Sequence, residues 1–355
     1  MSCAKSLIIG IQGHALTLEE EALIQAHQLA GVILFGRNIQ SVEQLQKLIA
    51  SIQQASRNEL FISLDLEGGR VNRLSALGLE LPSAAALALA AQAGKPEWIA
   101  DQARMMAQAM NYFGFNLNYA PVLDIDEGLQ VQNALGGRCW GENPETVISN
   151  VSLWINSFRL HSSALLVGKH FPGSGYAKSD PHEDLPVVKR SLNELNEHEL
   201  KPFVELAPQL DAMMSSHLLY EGLSEHPASL STLDSELGGL RKVLNFDGLW
   251  VTDDLDMGAI TQSYGQVQAT QMAIDAGFNL CLICHETQQL TQLIESVSIS
   301  KTPALNVPTC INNQDVNWQS LVDKSKKLTQ AVAECLIARG LVQAIDLPSS
   351  AVEDY

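Results

Sequence analysis

Eight short, near-continuous apolar runs punctuate the chain, and segments with helical spacing lie between them. In order they are SLIIGIQG near position 6, GVILFG near 31, LFISLDL near 60, FNLNYAPVLDI near 115, ALLVGKH near 164, LDAMMSSH near 210, GLWVTDDL near 248 and NLCLICH near 279. Runs that do not alternate with polar residues predict strands buried on both faces, the mark of a parallel sheet covered by helices. The helical segments carry start signals. Thr17 with Glu20, Ser41 with Gln44 and Ser191 with Glu194 have capping-box spacing, and Asn143-Pro144 sets a cap before a proline at the first helical position. After Ser41, the positions Leu45, Leu48, Ile49 and Ile52 recur with the helical period. Eight strand-then-helix repeats predict an α/β fold, a single TIM-type (β/α)8 barrel over 1–340, with a doubly wound open sheet as the runner-up. Residues 298–309 read as a connecting loop, 320–339 as a closing helix and 341–355 as a C-terminal tail, with no second domain.

In such barrels the site forms at the carboxyl ends of the strands, so polar residues just past an apolar run are the ones to read for chemistry. They gather there. Asp65 and Arg73 follow the third run, Asp124 lies in the fourth and Arg138 in its long loop, Lys169 and His170 close the fifth, His217 the sixth and Asp253 the seventh. The richest stretch is KHFPGSGYAKSDPHEDLP, 169–186, which collects Lys169, His170, Asp180 and His182 in one loop punctuated by glycine and proline. Groups of this kind cannot all be buried without partners, so they either face solvent or line a site.

Composition narrows the partners. With 46% hydrophobic and 17% charged residues, 355 residues suffice for a full core and contain no tract of disordered composition. A formal charge of −18, from 22 Lys and Arg against 40 Asp and Glu, with no basic stripe, argues against nucleic acid and anionic membranes as partners. The opening MSCAKSLIIGIQGHAL is broken by Gly10, Gln12 and Gly13 too early for a secretory signal, and no apolar run has the length of a membrane helix. A soluble protein is expected, and a monomer. Six scattered cysteines do not form a disulfide framework and point to the reducing cytoplasm. Cys281-Leu-Ile-Cys284-His285 has the c-type haem spacing, but it lies in an apolar run and is read as strand. No histidine has ligand spacing with a third partner nearby, so neither a metal nor a cofactor is expected.

Longer motifs carry a resemblance: LDLEGGRVNRL from Leu64, NYAPVLDID from Asn118, GGRCWGENPE from Gly136, the 169–186 loop, MMSSHLLY from Met213 and FDGLWVTDDLDMGAI from Phe246. In this order, over nearly the whole chain, they resemble family 3 glycoside hydrolases, most of all the single-domain bacterial β-N-acetylglucosaminidases. The resemblance implies a β/α barrel that removes a non-reducing terminal N-acetylglucosamine, from muropeptides during cytoplasmic recycling of peptidoglycan.

Retaining hydrolysis needs a carboxylate to attack the anomeric carbon and an acid to protonate the leaving oxygen. The resemblance makes Asp253 the nucleophile. Strand alternation adds that only one of Asp253 and Asp254 should enter the barrel mouth, the other reading being that the pair caps the next segment. The acid resembles a histidine paired with an aspartate two residues earlier, here His182 with Asp180. An imidazole titrating near neutrality can give a proton and then take one from water, and Asp180 would fix its tautomer. By the same resemblance Asp65, Arg73, Arg138, Lys169 and His170 hold the terminal sugar, a small carbohydrate. Arg70, Asp124 and His217 read as supporting residues, and Glu67 with Gly68 and Gly69 as the shape of a turn.

The chain departs from the family pattern twice. Gly173-Ser174-Gly175 stands where GHG is usual, and Asp180-Pro181-His182 where Asp-Ser-His is usual. The proline fixes its own φ and biases Asp180 towards an extended conformation. Two further readings stay open: glycoside phosphorolysis, because a neutral imidazole does not repel phosphate, and a catalytically silent sugar-binding barrel.

Overall fold

All eight apolar runs supply a strand, and the strands close on themselves in chain order in the computed structural model, which describes residues 3–129, 133–232, 235, 239–299, 305–309 and 316–341. The barrel strands are β1 (Leu7–Gly10), β2 (Gly31–Ile33), β3 (Phe61–Leu64), β4 (Leu117–Asn118), β5 (Leu165–Phe171), β6 (Ala212–Ser215), β7 (Leu249–Asp254) and β8 (Leu280–Ile283). Every neighbouring pair is parallel, and Leu7 opposite Cys281 joins β1 to β8 and closes the ring. The open sheet is thereby excluded. Ile8, Phe61, Leu117, Val167, Val251 and Leu280 fill the interior, while a larger apolar layer lies between strands and helices. That two-sided burial is why the runs show no alternation.

Local signals act as their chemistry requires. Thr17 and Ser191 each form both halves of a capping box with Glu20 and Glu194. Ser41 accepts from Gln44 N, but the Gln44 carboxamide oxygen accepts from Gln40 N at 2.8 Å, one residue further back than the box predicts. Helix Val42–Ala55 buries Leu45, Leu48, Ile49 and Ile52 as the periodicity predicts. The closing helix spans Trp318–Ala338, starting two residues before the expected 320 because the Asn317 side chain caps it by accepting from Ser320 N. Of the expected 298–309 loop, 298–299 and 305–309 are described, and of the expected tail Leu341 alone, the rest lying outside the described residues. Cys281 and Cys284 are buried in and just after β8, as the reading of this run as strand expects. No helix among the described residues is long and apolar enough to cross a membrane.

Two small ribbons lie on the carboxyl face. Leu66–Gly68 and Val71–Asn72 form an antiparallel hairpin after β3, and Val187–Val188 pairs in parallel with Leu219–Tyr220, tying the loop after β5 to the one after β6. The hairpin turns on Gly68 and Gly69, at φ of 97° and 57°; a Cβ on Gly68 would stand 2.4 Å from the Pro82 carbonyl oxygen, so glycine is required on both counts.

Candidate active site

A cavity of about 270 Å³ opens at the carboxyl end of the barrel. Asp65, Arg73, Arg138, Lys169, His170, His182 and Asp253 all border it, on a floor that includes Ile33, Met214 and Leu282. Asp180 stands behind His182.

One wall is an ion-pair cage. Lys169, at the end of β5, places its ammonium 2.7 Å from Asp65 and 2.6 Å from Glu67, and Arg138 meets Glu67 through two hydrogen bonds of 2.9 Å. Arg73 stands 3.3 Å from Asp65, its guanidinium 5.2 Å over the Phe35 ring. Burial alone would raise the pKa of both carboxyls, but Lys169 with Arg73 around Asp65, and Arg138 with Lys169 around Glu67, hold them below the usual carboxylate range. Asp65 and Glu67 both face inward because Leu66 between them is clamped: its N–H donates to the Asn118 side chain at 3.0 Å, and that carboxamide donates back to the Leu66 carbonyl at 3.2 Å. Arg70 donates to the Gly136 and Ala134 carbonyls and so supports the loop that carries Arg138.

His170 is oriented by Asp124, which is 1% exposed and accepts from His170 Nδ1 at 2.6 Å, His170 N at 3.1 Å and Ser174 N at 2.6 Å. The ring thus stands between two fixed groups, Nδ1 against the Asp124 carboxylate and Nε2 3.3 Å from the Arg138 guanidinium. The same Asp124 therefore fixes the start of the Gly-Ser-Gly loop. Ser174, which stands where the family pattern usually has histidine, supplies only its backbone N–H to that task, which any residue but proline could do.

The aspartate pair does not obey strand alternation, since both Asp253 and Asp254 border the cavity. The β7–β8 ladder slips register between Val251 and Asp254, and past the slip the period-two rule no longer applies. Environment separates the two instead. Burial opposes ionisation of Asp253, but the imidazoles of His217, His170 and His182 and the Asp254 N–H outweigh it, leaving the carboxyl below its ordinary pKa. Asp254 is pushed well above its ordinary value, first by burial and then by the Asp256 charge. Its Oδ1 is taken up by Asp256 N and Cys284 N, both at 3.1 Å. Of the two, Asp253 is the one whose surroundings favour the charged form.

Behind β7 lies His217, fully buried. Its Nε2 donates to the Asp254 carbonyl at 2.7 Å and its Nδ1 accepts from Ser229 at 2.7 Å, and burial lowers its pKa. Over the cavity, His182 has Asp180 Oδ1 2.6 Å from Nδ1, an oxygen that also accepts the His182 N–H at 2.9 Å. The carboxylate thereby orients the imidazole through Nδ1.

Sequence reasoning missed Glu67, Asn118 and Asp254. The glycines beside Glu67 signal a turn, and nothing local shows that the turn folds back onto Lys169, 102 positions away in sequence. No group of three or more His, Cys, Asp or Glu among the described residues has metal-binding geometry.

Comparison with known proteins agrees with this geometry. Residues 8–309 match the family described as glycosyl hydrolase family 3 N terminal domain. A beta-hexosaminidase of Tolumonas auensis is 31% identical over 323 residues, 90% of this chain and 94% of that protein. The crystal structure of native NagZ from Neisseria gonorrhoeae superposes with a TM-score of 0.77 at 27% identity, covering 91% of this chain and 97% of that one. The same protein in complex with N-trifluoroacetyl-D-glucosamine gives a TM-score of 0.76 at 27% identity over 97% and 98% of the two chains.

Proposed function

Because this chain belongs to glycosyl hydrolase family 3, we propose that it removes non-reducing terminal N-acetylglucosamine from β-linked glycans with retention of configuration, through a covalent glycosyl intermediate on Asp253. The observation that carries this reading is one cavity bordered by the Asp253 carboxyl, an imidazole at His182 and the ion-pair cage of Asp65, Glu67, Lys169 and Arg138.

In the first step the Asp253 carboxylate attacks the anomeric carbon, and the bond from that carbon to the leaving oxygen breaks. The protonated His182 gives its Nε2 hydrogen to that oxygen while Asp180 stabilises the ring. In the second step the neutral His182 takes a proton from water, whose oxygen displaces Asp253 from the anomeric carbon. The pKa of Asp253, held below its ordinary value by the neighbouring imidazoles and the Asp254 N–H against burial, favours the anion that attacks. Lys169, Arg73 and Arg138 donate to sugar hydroxyl oxygens and Asp65 accepts from hydroxyl hydrogens, the hydrogen-bonding set a terminal pyranose presents. His170 completes this wall. Glu67 holds two of the cations in place without solvent.

A relative solved with N-trifluoroacetyl-D-glucosamine supports a 2-acylamino sugar as the group bound. Muropeptides are the proposed source, and the cytoplasm the proposed compartment. The free thiols of all five described cysteines, Cys3, Cys139, Cys281, Cys284 and Cys335, fit a reducing environment. The barrel over 1–340 would act as one catalytic unit, a monomer needing no cofactor. A panel of aryl β-glycosides differing only at the 2-substituent tests the reading: hydrolysis of the acetamido members is expected, and preference for the 2-hydroxyl members would overturn it.

A further inference from the structure

We propose that Gly258 is a positioning residue of this reaction: its missing side chain lets the turn that carries His182 dock directly on the end of the nucleophile strand. The inference rests on the roles given above to His182 and Asp253. Met257 N donates to the Asp254 carbonyl at 3.1 Å, so the chain turns immediately after β7. The next two N–H groups leave that turn towards the 180–184 segment. Gly258 N donates to the His182 carbonyl and Ala259 N to the Pro181 carbonyl, both at 3.1 Å. The Gln262 carboxamide reaches the Glu183 carbonyl beside them. Acid and nucleophile are thereby held together by main-chain hydrogen bonds a few residues from each.

This docking leaves no room at position 258. A Cβ there would lie 2.5 Å from the His182 carbonyl oxygen and 2.5 Å from that of Glu183. Both are backbone atoms, so no rotamer change relieves the contact and the turn itself must lift. The φ of Gly258 is not in the left-handed region, so alanine fits the local backbone and close approach alone calls for glycine. The loop keeps other anchors, Ser174 N on Asp124 and the Val187–Val188 pairing with Leu219–Tyr220, on either side of this contact. Its expected consequence is that the imidazole moves relative to the leaving oxygen, and a misplacement of about 1 Å can cost ~10²-fold in rate.

Gly258→Ala and, separately, Gln262→Ala are assayed on aryl and alkyl β-N-acetylglucosaminides spanning leaving groups from dinitrophenol to simple alcohols. For Gly258→Ala the expected kcat/KM loss is about 10- to 100-fold with poor leaving groups and under about threefold with dinitrophenyl, part of the ~10²–10⁴ that general acid catalysis supplies. The dependence on leaving-group pKa steepens, with Gln262→Ala changing it in the same direction by less. A folded Gly258→Ala that loses activity equally on all substrates, or on none, overturns the inference. Should Gly258→Ala not fold, Gln262→Ala decides: a steeper leaving-group dependence supports the docking role and an unchanged one removes it. Failure of the underlying reading looks different, as wild-type enzyme inert on all these substrates or an Asp253→Asn variant as active as wild type.

Discussion

Glu67 and Arg138 face each other through two parallel hydrogen bonds of 2.9 Å, buried at the cavity wall, and Lys169 lies 2.6 Å from the same carboxylate. Such a carboxylate counterbalances two cations with little access to water. Removing it while the cations stay leaves uncompensated buried charge, which costs about 3–5 kcal/mol. Glu67→Gln should therefore lower the unfolding free energy by about that amount, measured by denaturant titration at neutral pH.

The same carboxylate makes a pH prediction. Its pKa is depressed in the folded state, by Arg138 and Lys169 against the effect of burial, so its contribution is fully present above the unfolded value of ~4.3 and is lost as pH falls towards the folded one. Thermal unfolding from pH 7 to 3 should show wild type losing more stability on acidification than Glu67→Gln. Parallel curves for the two proteins would remove Glu67 from the account.

Replacement of His182 separates an acid from a mere neighbour. His182→Ala should lower kcat/KM on poor leaving groups by about 10²–10⁴-fold and barely change it on dinitrophenyl glycosides, which depart without a proton. Equal losses on both kinds of substrate contradict an acid role.

Under the proposed mechanism, ionisation of Asp253 sets the acid limb of activity. Since the imidazoles and the Asp254 N–H outweigh burial, the reactive anion persists below the ordinary carboxylate pKa of ~3.9. The profile of kcat/KM on an activated substrate should hold to about that pH, measured in brief acid jumps that precede unfolding. A limb well above the carboxylate range would contradict the depressed pKa.

Water is the expected acceptor. Incubation with phosphate should give free sugar, and accumulation of a sugar 1-phosphate, seen by phosphorus NMR, would reassign the second step to phosphorolysis.

The barrel was legible because burial of both strand faces writes itself into sequence as continuous apolar runs, from SLIIGIQG to NLCLICH. The placement of Asp65, Lys169 and Asp253 was legible for the same reason, since each ends such a run. Alternation failed at Asp253 and Asp254, where a register slip in β7 breaks the rule it depends on. Glu67 and Gly258 were hidden for another reason. What each does depends on a partner 71 or 76 residues distant, Arg138 for the one and His182 for the other, and no local pattern records such a contact.

Mass spectrometry of enzyme inactivated by a fluorinated N-acetylglucosamine donor with a good leaving group tests the central claim most directly. The peptide containing Asp253 should carry the sugar, with no adduct in an Asp253→Ala control. A sugar attached to Asp254 or any other side chain, or turnover with inverted configuration and no adduct, would contradict the account.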